Sequence, residues 1–98
     1  MDLTRFLPRF AALARDRIAR AMAVASAGDA SGAPKVTGDM HSLAGEAGML
    51  GLEAVLQAAI AAESAARRFA AEGGEALALG RALRELEAAV TAATQGVP

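Results

Sequence analysis

Apolar residues return at steps of three and four along most of this chain, and no other feature restricts its fold as much. Leu3, Phe6, Leu7, Phe10, Ala14, Ile18, Ala21 and Ala25 keep that rhythm in the first stretch; Leu52, Val55, Ala59, Ala62, Ala66 and Phe69 repeat it, and so do Ala76, Leu79, Leu83, Leu86, Val90 and Ala93. A helix turns once in about 3.6 residues, so each set lines one helical side, whereas a half-buried strand alternates every second residue. Composition agrees: hydrophobic residues make up 54% of the chain but aromatics only 3%, and Trp, Tyr and Cys are absent. An interior of Ala and Leu suits closely approaching helices better than a sheet. The expected fold is all-α, and 98 residues support one hydrophobic core, a single domain over 1–98.

The breaks in the rhythm divide the chain. Asp2 suits a helix N-cap, and Pro8 either kinks the first helix or separates a short leading turn, Leu3 to Phe6, from a longer helix starting near Leu7. The run GDASGAP, Gly28 to Pro34, predicts a surface loop. A second helix then starts near Pro34 or Lys35 and continues through Gly38, which costs roughly 1 kcal/mol relative to Ala; Thr37 or Asp39 capping a shorter helix is the alternative. Either Gly48 or Gly51 ends it and permits a reversal into a third helix, Leu52 to Glu72, closed by Gly73 and Gly74. The fourth helix spans Glu75 to Thr94 with Gly80 inside it, and the tail QGVP frays. Four amphipathic helices with short connections predict an antiparallel up-down four-helix bundle, with a possible extra N-terminal helical turn.

Charge and composition exclude several functions. Lys and Arg number 10 against 11 Asp and Glu, a net charge of -1, which leaves no basic excess for the phosphates of a nucleic acid. The lack of Cys rules out a disulfide framework and fits a reducing compartment, so the cytoplasm is expected. No segment approaches about 20 consecutive apolar residues, and MDLTRFLPRF has no unbroken apolar run, so neither a membrane span nor an export signal is expected. Arg15, Arg17 and Arg20 with Asp16 read as a solvated face, and Met22, Met40 and Met49 as core or rim filler. There is no Ser/His/Asp set, no paired metal ligands and no phosphate-cradling glycine loop, so neither an independent enzyme nor a metal site is expected.

The chain has a single histidine, and its surroundings are unusual. On a helical wheel Val36, Met40, Leu43, Ala47 and Leu50 fall within about 40° of one direction, the core face. His41 lies about 140° away, among Thr37, Gly38, Ala44, Gly45 and Gly48, while Ser42, Glu46 and Asp39 are displaced to the far side. A buried structural histidine belongs in the apolar stripe, and an ordinary surface histidine is flanked by long charged side chains. Gly and Ala here cost helix stability but let another protein's backbone approach the imidazole. An exposed imidazole is largely neutral at pH 7 and can act as a nucleophile.

These residues, HSLAGEAGMLG from His41 to Gly51, resemble the signature of the histidine phosphotransfer domains of bacterial two-component phosphorelays: His-x-Leu-Lys-Gly, then small residues, then a hydrophobic residue and Gly. His41, Leu43, Gly45, Ala47, Leu50 and Gly51 match it. The resemblance implies a four-helix bundle whose His41 accepts a phosphoryl group from an aspartyl phosphate on a receiver domain and passes it to another receiver. It implies no cofactor of the chain's own, since the receiver brings Mg²⁺, and response-regulator receivers or a hybrid histidine kinase as partners, met by a monomer. Ala44 departs from the pattern, standing where the family usually has a Lys that holds the phosphoryl oxygens.

In some family members a polar residue and an Arg flank the histidine at the offsets of Glu63 and Arg67. Counting back from the reversal puts residues near Ala61 level with His41. The resemblance thus implies Arg67 as electrostatic partner, and Glu63 either bonding the imidazole or facing solvent. Ala44, Gly45 and Gly48 complete the expected site, and an apolar rim with Phe6, Phe10 or Leu13 is expected to dock the partner. The alternative is an unphosphorylated docking module that binds a receiver or kinase through the same fold.

Overall fold

The computed structural model describes residues 4–73 and 76–95. Its order is a 3-10 turn Thr4–Phe6, α1 (Leu7–Ala27), a 3-10 turn Ala30–Gly32, α2 (Ala33–Met49), α3 (Glu53–Glu72) and α4 (Leu77–Thr94). Each helix packs on two neighbours, α1 on α2 and α4, and α3 on α2 and α4, so the helices close into an up-down bundle. The molecule measures 43 × 18 × 17 Å, one helix pair wide. Leu79, Leu83, Leu86 and Val90 of α4 meet Val55, Ala59, Ala62 and Ala66 of α3 and Ile18 of α1 in one continuous core. Each of those large side chains contributes about 1.5–3 kcal/mol by leaving water.

Pro8 does not kink the first helix. It occupies the first turn of α1, where a missing N–H costs nothing, and the leading turn is separate. Leu3 and the Asp2 cap lie outside the described residues, as do Gly74, the expected fourth-helix start at Glu75 and residues 96–98.

The expected loop from Gly28 to Pro34 is shorter than its composition suggested. Asp29 caps the second 3-10 turn by accepting from the Ser31 N–H at 3.0 Å and its hydroxyl at 2.7 Å, and α2 already begins at Ala33. Gly32 is needed there for space: a Cβ would stand 2.9 Å from Val24 Cγ2 on α1.

α2 runs unbroken through Gly38, Gly45 and Gly48. It ends at Gly51, whose φ of 73° is left-handed. The Gly51 N–H donates to the Gly48 carbonyl at 3.2 Å and the Leu52 N–H to the Ala47 carbonyl at 2.9 Å, the paired bonds of a Schellman cap. The chain thereby turns directly into α3, and the two helices form a tight hairpin.

Two arginines expected to be merely solvated tie α1 to α2. One Arg17 nitrogen donates to both Glu46 oxygens, at 2.9 and 3.0 Å. Arg20, paired with Asp16 on its own helix, also lies 3.9 Å from Asp39. Of the methionines, Met40 is fully buried and Met49 is 81% exposed. No helix among the described residues is long and apolar enough to cross a membrane.

Candidate functional site

The α2–α3 hairpin determines what faces the histidine. The chain reverses between Met49 and Glu53, and this sets His41 level with Glu63 rather than with Ala61. Glu63 lies on the side of α3 that meets α2, with 11% of its side chain exposed, while 77% of the His41 side chain is exposed. His41 Nδ1 is 3.3 Å from Glu63 Oε1. Arg67, one turn further along α3, donates to Glu63 Oε2 at 2.7 Å.

This three-residue chain has a direction. The guanidinium can only donate, so Glu63 Oε2 accepts from it. A glutamate oxygen at Nδ1 favours the tautomer that carries the ring proton there, and in that tautomer Nε2 keeps its lone pair. Glu63 is thus a buried acceptor satisfied on both oxygens, and it orients the histidine as a carboxylate orients the imidazole of a hydrolytic triad.

A cavity of about 540 Å³ opens beside the ring, lined by His41, Ala44, Gly45, Gly48, Leu56, Ile60, Glu63 and Arg67. Every site residue proposed from the sequence therefore lines one cavity. Gly45 and Gly48 are exposed, and a Cβ built on either would meet no atom within 4 Å. Packing inside this chain does not call for glycine at these two positions.

Ala44 differs from the expectation. The wheel grouped it with the open face of His41, but it is only 7% exposed and belongs to the core cluster, because α3 leans over that edge of α2. It still contributes to the cavity wall.

The first-helix apolar residues lie elsewhere. Phe6, Arg9, Phe10, Leu13, Glu46, Met49 and Leu50 line a cleft of about 390 Å³ on the other flank of α2. Phe10 is 4% exposed and so forms the floor of this cleft, whereas Phe6 and Leu13 are 41% and 42% exposed on its walls. Met49, read from the sequence as core or rim filler, lines this cleft and is exposed. Among the described residues no group of three His, Cys, Asp or Glu side chains could hold a metal ion.

No protein-family model, no curated protein and no solved structure matches this chain.

Proposed function

We propose that the chain is a phosphoryl carrier of a bacterial two-component phosphorelay, in which His41 accepts a phosphoryl group from a receiver's aspartyl phosphate and delivers it to another receiver. One observation carries this reading: an accessible imidazole with Nδ1 held by Glu63 and open ground over Gly45 and Gly48. The resemblance of HSLAGEAGMLG to the phosphotransfer signature supports it independently.

The chemistry needs little from the carrier. The Nε2 lone pair attacks phosphorus, an N–P bond forms, and the P–O bond electrons return to the aspartate carboxylate. No proton has to leave, because the ring keeps its Nδ1 proton and becomes a phosphoimidazolium whose positive charge faces Glu63. Delivery reverses these steps with a second carboxylate as acceptor. The Mg²⁺ that stabilises the transferring group belongs to the receiver, so the chain acts as an intermediate carrier and not as an enzyme alone. A monomer in the cytoplasm suits that role.

The experiment is phosphoryl transfer from a panel of phosphorylated receiver domains to the wild-type chain and to His41→Gln. Acid-labile label on the wild type that the variant loses is the expected result. Ala44 favours a second reading, a docking module that is never phosphorylated, because no cation follows His41 on its own helix face. Receiver binding without label would select that reading.

A further inference from the structure

The cleft between α1 and the last turn of α2 lies on the flank away from His41, with Phe10 as its floor and Phe6, Leu13 and Met49 as exposed walls. Phe6, Phe10 and Leu13 follow at steps of four and three, so floor and wall run along two turns of α1, about 10 Å. At about 390 Å³ the cleft has the size of a small-molecule site. Its apolar ground stops at its own walls: the other exposed large apolar side chains among the described residues, Ile60 and Leu77, are on α3 and α4. A bilayer or a broad protein interface needs apolar contact well beyond one cleft, whereas a single alkyl chain or ring fits within it.

Two charged side chains line the cleft, and one of them is already taken. Glu46 is held by Arg17, which donates to both of its oxygens. Arg9 is exposed and pairs with no carboxylate among the described residues. One turn back, the Arg5 guanidinium stands 4.9 Å from the centre of the Phe6 ring and has no carboxylate partner among the described residues either. An apolar floor therefore meets a cationic mouth, and the complement of that pair is an apolar body with one anionic end. A guanidinium matches a carboxylate in shape as well as charge, since two N–H groups can reach both oxygens. The flexible thioether of Met49 adapts the wall to chains and rings of different width.

We propose that this cleft binds an amphipathic carboxylate, an acid with one alkyl chain or aromatic ring. Its carboxylate pairs with Arg9, and its apolar body lies over Phe10 between the α1 wall and Met49. Arg5 adds positive potential at the mouth without a second contact. Water over Phe10 finds few partners in these walls, so its displacement by apolar groups favours binding. The site is separate from His41 and does not depend on the carrier reading.

The test titrates the full chain with decanoate by calorimetry, beside hexanoate and the uncharged decanol. Saturable binding of one decanoate per chain is expected, and hexanoate should bind more weakly by up to about fourfold for each methylene lost. Arg9→Gln should weaken decanoate about fivefold and leave decanol unchanged. Leu13→Asp, which places a like charge in the wall, should weaken decanoate by about tenfold or more. Circular dichroism melts establish that each variant is folded, and the methyl resonance of Met49 should shift on binding. Decanoate and decanol that bind equally well, with no change in Arg9→Gln, would overturn the assignment of an anionic ligand. No saturable decanoate binding would overturn the site, and sedimentation of the same chain with phosphatidylglycerol vesicles would then assign the patch to a membrane surface.

Discussion

α2 and α4 stand at opposite corners of the same bundle and use glycine in opposite ways. α4 buries Leu79, Leu83, Leu86 and Val90 completely, and its Gly80 is itself buried, with a Cβ there reaching ordinary contact with Arg84 Nη1 at 3.7 Å. α2 buries an equally firm stripe of Val36, Met40, Leu43 and Ala47, yet on its outer side Gly45 and Gly48 face open space. A helix interior gives up roughly 1 kcal/mol for each glycine in place of alanine. Among the described residues nothing packs over Gly45 or Gly48 to return that loss. The difference separates a helix that supports the bundle from one whose outer surface is clear beside an exposed histidine.

The largest expected effect breaks the supporting side of this comparison. Leu83→Ala removes a fully buried side chain from the middle of α4 and should destabilise the fold by about 2–5 kcal/mol. Urea titration followed by circular dichroism measures it. Phosphoryl transfer per folded molecule should be unchanged, and a selective loss of transfer would mean that α4 takes part in the site.

On the other side, Glu63→Gln keeps the shape of the residue but removes the charge that orders the imidazole and holds Arg67. A charge-assisted hydrogen bond contributes about 1.5–3 kcal/mol, so the rate of labelling His41 should fall by about tenfold or more. Rapid-quench labelling from a phosphorylated receiver checks this. A rate within twofold of the wild type would show that the Nδ1 contact does no chemical work.

The glycines give the sharpest contrast with the smallest substitutions. Gly45→Ala and Gly48→Ala should each raise stability by about 0.5–1 kcal/mol, since the new methyl meets nothing, while slowing transfer to a docked receiver. Gly80→Ala should raise stability by a similar amount at most and leave transfer alone. Paired thermal melts and transfer rates decide the matter. Equal transfer in all three variants would remove the access argument for α2.

The smallest effect lies at neither helix but at the connection between α1 and α2. The Ser31 hydroxyl and then its backbone N–H donate to Asp29, and these bonds hold its carboxyl below the ordinary aspartate value. A lowered folded value means a stabilising contribution that is complete above the unfolded aspartate value and is lost as pH falls through the folded one. Asp29→Ala should therefore flatten the acid side of the stability profile slightly and leave the neutral side parallel to the wild type. Melts across a pH series would show it; an unchanged acid limb would place that dependence on other carboxylates.

Much of this was readable along the chain. The three- and four-residue rhythm determined four helices and their buried faces, because helix geometry alone maps that spacing onto one side. The off-stripe position of His41 and the small residues around it were likewise local properties of α2. The wheel failed for Ala44, because burial at the edge of a stripe depends on how far the neighbouring helix leans over it. The reading of Arg17 as merely solvated failed too, because its partner Glu46 is on another helix.

Sequence by itself determined the helices, a reversal at Gly48 or Gly51 and an exposed histidine, all of which follow from residues within a turn or two of one another. Only the tertiary structure decided that Glu63 is buried between His41 and Arg67, and that the apolar residues of α1 form a cleft apart from the histidine's cavity. The reason is geometric. Periodicity assigns each residue to a side of its own helix, but the register and lean of one helix against another come from packing that residues distant in sequence settle together.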